Sequence, residues 1–451
     1  MASTVIDSKI FGHLYTTERM KEIFSDTNMV QKWIDTEVAL AMAQGKLGII
    51  PQEMADEIKK KGKADLLDLE AIGENFKSSI TIVPLLKEFK KVLDNNAGEF
   101  VHYGATSQDI VDNGMILQLK EAYEEIYNLL SGVEDLAYDL SEKHKDLVMA
   151  GRTHVIHALP ITFGFKTAVW AAEISRHLER LRECKDRLLV GQFSGAVGTL
   201  ASQEELGLEV QKIMMEDLEI NVPTITWHTS RDHIAEFVNL LALIAGTIGK
   251  INCEILSLQR TEIGEIEEPF FMGKVGSSTM PHKRNPQVCE NVIALTRNIR
   301  GLAPLAVEAM ICEHERDWGS LLSEWDLVPR ACHMMGAALE KTNDILKNLI
   351  VYPERMEENL FKLKGMILSE AVMMHLGEKI GRLTAHDVVY ETCMKAFAEK
   401  KTMKEALLEN ELVAKHFTGE EIDDFLEPHK YTGLSSKFVD RVLNSRKNKL
   451  L

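Results

Sequence analysis

The stretch MILQLKEAYEEIYNLLSGVEDLAYDL, Met115–Leu140, carries apolar residues at 115, 119, 122, 126, 129, 133, 136 and 140. After the first step the spacings alternate between three and four, which is one helical seam facing a partner in a bundle. A helix of about thirty residues spans roughly 45 Å. Further along, Leu240–Leu258 is apolar on more than one face (Leu240, Leu241, Leu243, Ile244, Ile248, Ile251, Leu256). A helix apolar all round belongs in a bundle core or a subunit interface. Proline breaks helices and central strands alike, yet only 11 occur, and 161–222 and 224–268 hold none. Nothing reads as a run of alternating strands. The expected fold is all-α with a central long-helix bundle. Shorter helices, broken at Gly48-Ile49-Ile50-Pro51 and Pro84, form an N-terminal helical domain over 1–106. The long-helix domain covers 107–352, and Tyr352-Pro353 opens a C-terminal helical domain over 353–451. The basic end Arg446-Lys447-Asn448-Lys449 reads as solvated.

Of the 451 residues, 45% are hydrophobic and 27% charged, which suits a globular chain with a large core. The formal charge is 52 − 69 = −17. That field repels polyanions, so no nucleic acid partner is expected, and a small anionic substrate needs a local basic pocket. Six cysteines at 184, 253, 289, 312, 332 and 393 form no CxxC pair and read as reduced thiols. The N-terminus meets Asp7 before any apolar run develops, unlike a signal peptide. The most apolar stretch, Phe237–Gly249, is interrupted by Asn239 and is shorter than the roughly 20 residues a bilayer needs. A soluble, cytoplasmic protein with no membrane partner is expected.

Four segments carry chemistry-bearing groups. Gly276-Ser277-Ser278-Thr279-Met280-Pro281-His282-Lys283-Arg284-Asn285-Pro286 holds two prolines and a Gly-Ser-Ser run, so it reads as a loop between helices. Its hydroxyls, lysine, amide and backbone N–H groups suit a carboxylate and the charge that builds when an adjacent C–H is deprotonated. The plainer reading is a flexible polar connector, and the order of a Walker A phosphate loop is missing. Gly151-Arg152-Thr153-His154-Val155-Ile156-His157 places two histidines three apart, able to share a helix face. Metal ligation, a structural histidine and a general acid or base are its three readings; no third ligand stands nearby and no HExxH occurs. Gly104-Ala105-Thr106-Ser107-Gln108-Asp109 precedes the seam helix and reads as an N-cap with Thr106 and Asp109 in a capping box. Helix N-terminal amides are also an anion site. Glu313-His314-Glu315-Arg316-Asp317-Trp318 reads as a solvated helical face with internal ion pairs.

Taken together, these segments resemble the fumarase/aspartase superfamily. Gly276–Pro286 is similar to its signature loop, GSSxMPxKxNP, without a mismatch, and Thr106-Ser107 and Thr153-His154 resemble its other two active-site regions in the same order. The resemblance runs from Ile23-Phe24-Ser25-Asp26 to Glu324-Trp325 and thins after about residue 355. It implies a homotetramer with a twenty-helix core and active sites shared by three subunits. It implies a lyase that eliminates a group from a substituted succinate through an aci-carboxylate, without metal or organic cofactor. By resemblance, Ser277 is the base, His154 the general acid, and Glu290 pairs with His154. Lys283 and Asn285 hold the carboxylate that gains charge. Thr106 and Ser107 bind a carboxylate, with Thr153, Met280 and Arg231 completing the di- or tricarboxylate pocket. Arg152, Arg260 and Arg316 are further candidates for its basic side.

Two branches of the superfamily compete. Met149–His154, Ala158-Leu159-Pro160, Gln192-Phe193, Trp227–Asp232 and Ser323-Glu324-Trp325 resemble 3-carboxy-cis,cis-muconate cycloisomerases. Adenylosuccinate lyases carry an Asn-His-Asp-Val segment where this chain has Lys77–Pro84, and an arginine near the position of Trp325. Losing that arginine removes a charge-assisted phosphate contact. His157 and Asp317–Ser320 depart from the cycloisomerase pattern in turn. The expectation is a cycloisomerase-like lyase of a substituted succinate, with adenylosuccinate lyase as the alternative. A non-catalytic structural homologue is the alternative of another class, and the complete set Ser277, Lys283, Asn285, His154 and Glu290 argues against it.

Overall fold

The computed structural model describes residues 4–450, with side chains through Arg446. It is all-α in class: helices dominate, and the four short strands among the described residues form two antiparallel pairs. Five helices are long: α1 (Ser107–Lys143), α2 (Phe163–Leu188), α3 (Asp232–Leu258), α4 (Gln287–Glu308) and α5 (Trp318–Lys347). The seam lies inside α1, where Leu119, Ala122, Ile126 and Val133 are all fully buried. In α3, Phe237, Leu241, Ile244, Ile248, Ile251 and Ile255 are buried, while Leu243 is 57% exposed. This helix is longer than the apolar stretch read from sequence. By length and composition it is apolar enough to cross a bilayer, yet 67% of its apolar window is buried in the fold, as in a core helix.

Contacts group the chain into two compact units. The first runs through Ser131 and takes in Arg176–Lys250 and Asn291–Thr342. Its core joins Val30, Trp33, Ile34, Ile82, Leu85, Phe89, Ile110 and Val111. Trp33 lies so close to α1 that a Cβ on Gly114 would stand 2.4 Å from its ring. The second unit holds Gly132–Ser175, Ile251–Glu290 and the chain from Asn343. One core there gathers Val372, Leu376, Val389, Met403, Leu407 and Phe417; another sets Val148 and Ala150 against Leu360, Ile367 and Leu368. The three-domain division at 106/107 and 352/353 is retained as a proposal.

Three local readings are corrected. Residues 148–162 form a hairpin, β1 (Val148–Thr153) with β2 (Ile156–Thr162), in which Arg152 faces His157 and Thr153 faces Ile156. His154 and Val155 make its turn with φ of 50° and 63°, the left-handed pair of a two-residue type I′ turn. His154 and His157 therefore share no helix face. Glu313–Asp317 is a turn ahead of α5, not a helical face, and Asp317 accepts the Gly319 N–H at 2.7 Å. Arg446, read as solvated, stacks on Tyr138 at 4.8 Å and pairs with Asp135; the side chains of Lys447, Asn448 and Lys449 lie outside the described residues.

Candidate active site

In the first unit the centre is Asp109, 0% exposed. Its Oδ2 accepts the N–H of Thr106 and of Gly195, each at 3.0 Å. Its Oδ1 accepts the Ser194 N–H at 3.0 Å and faces His228 Nε2 at 2.9 Å. The capping box is thus half made, and the same carboxylate fastens a second loop and a histidine to the start of α1. Gly104 allows this closeness: it has φ 76°, and a Cβ there would lie 1.9 Å from Gln203 Nε2. Thr106 and Ser107 stay half-buried at the helix N-terminus, where free amides and the helix dipole favour an anion. Gln108 donates to the His228 carbonyl at 2.9 Å and accepts from Arg316 Nε at 3.1 Å. Arg316 is exposed and makes no ion pair among the described residues, so a cation stands at Gln108, the residue after Thr106-Ser107.

Arg231 has another place than the pocket. It is 3% exposed, with both terminal nitrogens on Asp112 at 3.0 Å and Nε on Glu324 at 2.9 Å. Burial opposes its charge, and Asp112 and Glu324 outweigh burial and hold it protonated. It braces α1 against α5 within this unit rather than meeting a substrate.

In the second unit the signature segment is a loop folded onto itself. A Cβ on Gly276 would stand 2.3 Å from the Lys283 carbonyl oxygen, so only glycine lets the two sides meet. Asn285 closes the loop by donating to the Gly276 carbonyl at 2.7 Å. Ser277, half-buried, accepts the N–H of Met280 at 3.0 Å and of Thr279 at 3.3 Å on its hydroxyl oxygen. Amide donors aimed at that oxygen stabilise an alkoxide. Lys283 is exposed without an ion-pair partner among the described residues, and Met280 is 42% exposed. Glu268, 2% exposed, takes the Cys289 N–H at 2.9 Å and Lys274 Nζ at 2.9 Å, fixing the loop's exit into α4. Sequence reasoning passed over it, although Glu265-Ile266-Glu267-Glu268-Pro269 is an acid-rich run next to the loop.

Glu290 is exposed in the first turn of α4. Thr153 and His154 are exposed at the hairpin tip, beside Val155 at 89% and Ile156 at 64%. Among the described residues no hydrogen bond or ion pair joins His154 to Glu290. A β-branched residue in the left-handed region is strained, and strain at an exposed tip is commonly kept for function. Arg152 is held bidentate by the buried Glu265, at 2.6 and 2.9 Å, which removes it from a ligand role. His157 lies half-buried with Nδ1 unpartnered, and burial, then Arg152, pushes its pKa down. Arg260 is exposed and outside both clusters.

One unit therefore offers a half-buried helix N-terminus with a neighbouring cation, and the other a serine hydroxyl oxygen facing two amides, an exposed lysine and an exposed imidazole. Groups of the first kind suit carboxylate binding, and groups of the second kind suit proton transfer.

Comparison with known proteins follows the same lines. The sequence profile of a family described as lyase matches residues 14–301, and one described as adenylosuccinate lyase C-terminus matches 365–442. The chain is 40% identical over 444 residues to an N-acetyl-S-(2-succino)cysteine lyase of Dickeya dadantii, covering 98% of each chain. It is 42% identical over 439 residues to an adenylosuccinate lyase of Methanocaldococcus jannaschii, covering 96% of this chain and 95% of that one. Among solved structures, 3-carboxy-cis,cis-muconate lactonizing enzyme from Pseudomonas putida superposes with a TM-score of 0.93 at 34% identity, covering 98% of this chain and 100% of that one.

Proposed function

We propose, from the premise that this chain belongs to the lyase family of the fumarase/aspartase superfamily and is an enzyme of that kind, that it releases fumarate from an N- or S-substituted succinate. The observation that carries this reading is the Ser277 oxygen with two amide N–H groups aimed at it. As alkoxide, Ser277 removes the proton beside one carboxylate. The electron pair passes into that carboxylate, which Lys283 stabilises while Asn285 holds the loop around it. The C–N or C–S bond then breaks, and His154 supplies the proton that leaves with the amine or thiol. Substituted succinate becomes fumarate plus the free amine or thiol, balanced without metal or organic cofactor. Thr106, Ser107 and Arg316 take the other carboxylate; Thr153 and Met280 flank the reacting atoms.

Glu290 orients His154 from a neighbouring subunit in this reading. Support comes from the exposed apolar tip Val155-Ile156 and the exposed Leu243 on α3, surfaces that a homotetramer with shared sites covers. The enzyme works in the cytoplasm, in keeping with six free cysteines. C–S cleavage comes first because the Dickeya dadantii relative bears that activity in its name. The second reading, adenylosuccinate cleavage, is favoured by the identity to the archaeal relative; lactone formation from a muconate is the third.

The test is proton NMR of purified protein with N-acetyl-S-(2-succino)cysteine, adenylosuccinate, argininosuccinate, aspartate, malate and 3-carboxy-cis,cis-muconate, beside light scattering for assembly state. Fumarate from one succinate and a tetrameric mass are expected. A monomer with no turnover of the panel overturns the reading.

A further inference from the structure

We propose that a cavity beside α1 in the first unit is the leaving-group subsite, and that it selects a neutral apolar group with one hydrogen-bonding atom rather than a phosphate. This rests on the lyase reading above and names the class of substrate.

The cavity measures about 510 Å³, within the range of small-molecule sites. Its position follows from α1. Val111 and Met115 line it, and they stand four and eight residues after Ser107, on the same helix face. At 1.5 Å per residue the cavity starts about 6 Å beyond the carboxylate-binding turn and continues past about 12 Å. A substituent that runs along this face from a carboxylate held at Ser107 reaches the cavity.

Its chemistry follows from the other walls. Phe24, Trp33, Phe76 and Trp325 supply aromatic surface, and no Lys or Arg lines it. The charged side chain there is Asp26, which repels an anion. His333 also lines it, but burial pushes its pKa down to about 4, so it is neutral at pH 7, with Nδ1 at 2.7 Å from the Thr16 hydroxyl. A phosphate would enter without a counter-charge, at a heavy desolvation cost. A neutral group instead finds a hydrogen-bond site already waiting: Thr81, 1% exposed, has a hydroxyl with no partner. Pro329 inside α5 also lacks an N–H, so the Trp325 carbonyl four residues earlier misses its helical donor.

The experiment measures fumarate release from 2-thiosuccinates bearing S-methyl, S-butyl, S-benzyl and S-(acetamidoethyl) groups, with adenylosuccinate as the phosphorylated case. Each buried methylene is expected to raise kcat/KM about fourfold. Thr81→Val should lower kcat/KM for the acetamide substrate several-fold more than for S-butyl, and Phe76→Ala, at a half-exposed position, should flatten the series. Release at equal rates across the series, or fastest from adenylosuccinate, overturns the subsite while leaving the lyase intact. Should no compound yield fumarate, the lyase reading fails, and the cavity is judged by tryptophan fluorescence with N-acetylbenzylamine. Saturable quenching weakened in Phe76→Ala supports the subsite; no quenching to millimolar concentration refutes it.

Discussion

The Asp109 cradle and the Ser277 loop both aim hydrogen-bond donors at an oxygen, yet they are held in opposite ways. In the cradle Asp109, Asp112, His228, Arg231 and Glu324 are each no more than 3% exposed, and the carboxylates are met by Arg231, by the His228 ring and by amides. In the loop Ser278, Thr279, Met280 and Lys283 are exposed, and much of its hydrogen bonding runs within the loop itself. A buried network fixes geometry and is costly to break. An exposed loop fastened at its exit by Glu268 can lose a side chain without unfolding the chain. Stability and chemistry are therefore separable by mutation.

The largest effect that would sharpen this contrast is on rate. Ser277→Ala should lower kcat by on the order of 10²–10⁴-fold with an unchanged Tm, checked by fumarate release and thermal melts; a large Tm drop would erase the distinction between the two regions. Next comes stability. Arg231→Met leaves Asp112 and Glu324 buried without their cation and should cost about 3–5 kcal/mol in denaturant unfolding, whereas an unaffected midpoint would show that the cradle is not the rigid partner. Gly276→Ala forces the loop open at the Lys283 carbonyl and should reduce kcat about 100-fold, again with normal melting.

The most gradual effect is in pH. Burial pushes both His333 and His233 down to about 4, against about 6.5 in the unfolded chain. Above pH 6.5 both states are neutral and stability is level. Below it the unfolded chain takes up protons that the fold refuses, so stability falls by about 1.4 kcal/mol per pH unit for each histidine until about pH 4. Melts from pH 7.5 to 4.5 should show a shallower slope in His333→Gln than in the wild type, and equal slopes would remove His333 from this account.

Much of the architecture was legible because helical seams repeat within a few residues: the spacing from Met115 to Leu140 reports one face whatever packs on it. The loop was legible because Gly276, Pro281 and Pro286 exclude a helix. The hairpin was not, since its left-handed turn is His154-Val155 where such turns favour Asn-Gly. The fate of the arginines was hidden too. Arg231 meets carboxylates 119 and 93 residues away, and Arg152 one 113 away, and no local pattern encodes such pairings. Glu313–Asp317 looked helical by charge alone, and charge density does not distinguish a turn from a helix face.

The most direct test runs the reaction backwards. Fumarate and N-acetylcysteamine, the uncharged thiol, are incubated with enzyme in D₂O, with Ser277→Ala as control, and the adduct is examined by NMR. The expected product is a succinyl thioether carrying a single deuterium on the carbon beside the reacting one, in one configuration, formed only by the wild type. An adduct equally abundant with Ser277→Ala, or deuterium spread over both faces, would contradict proton transfer by Ser277.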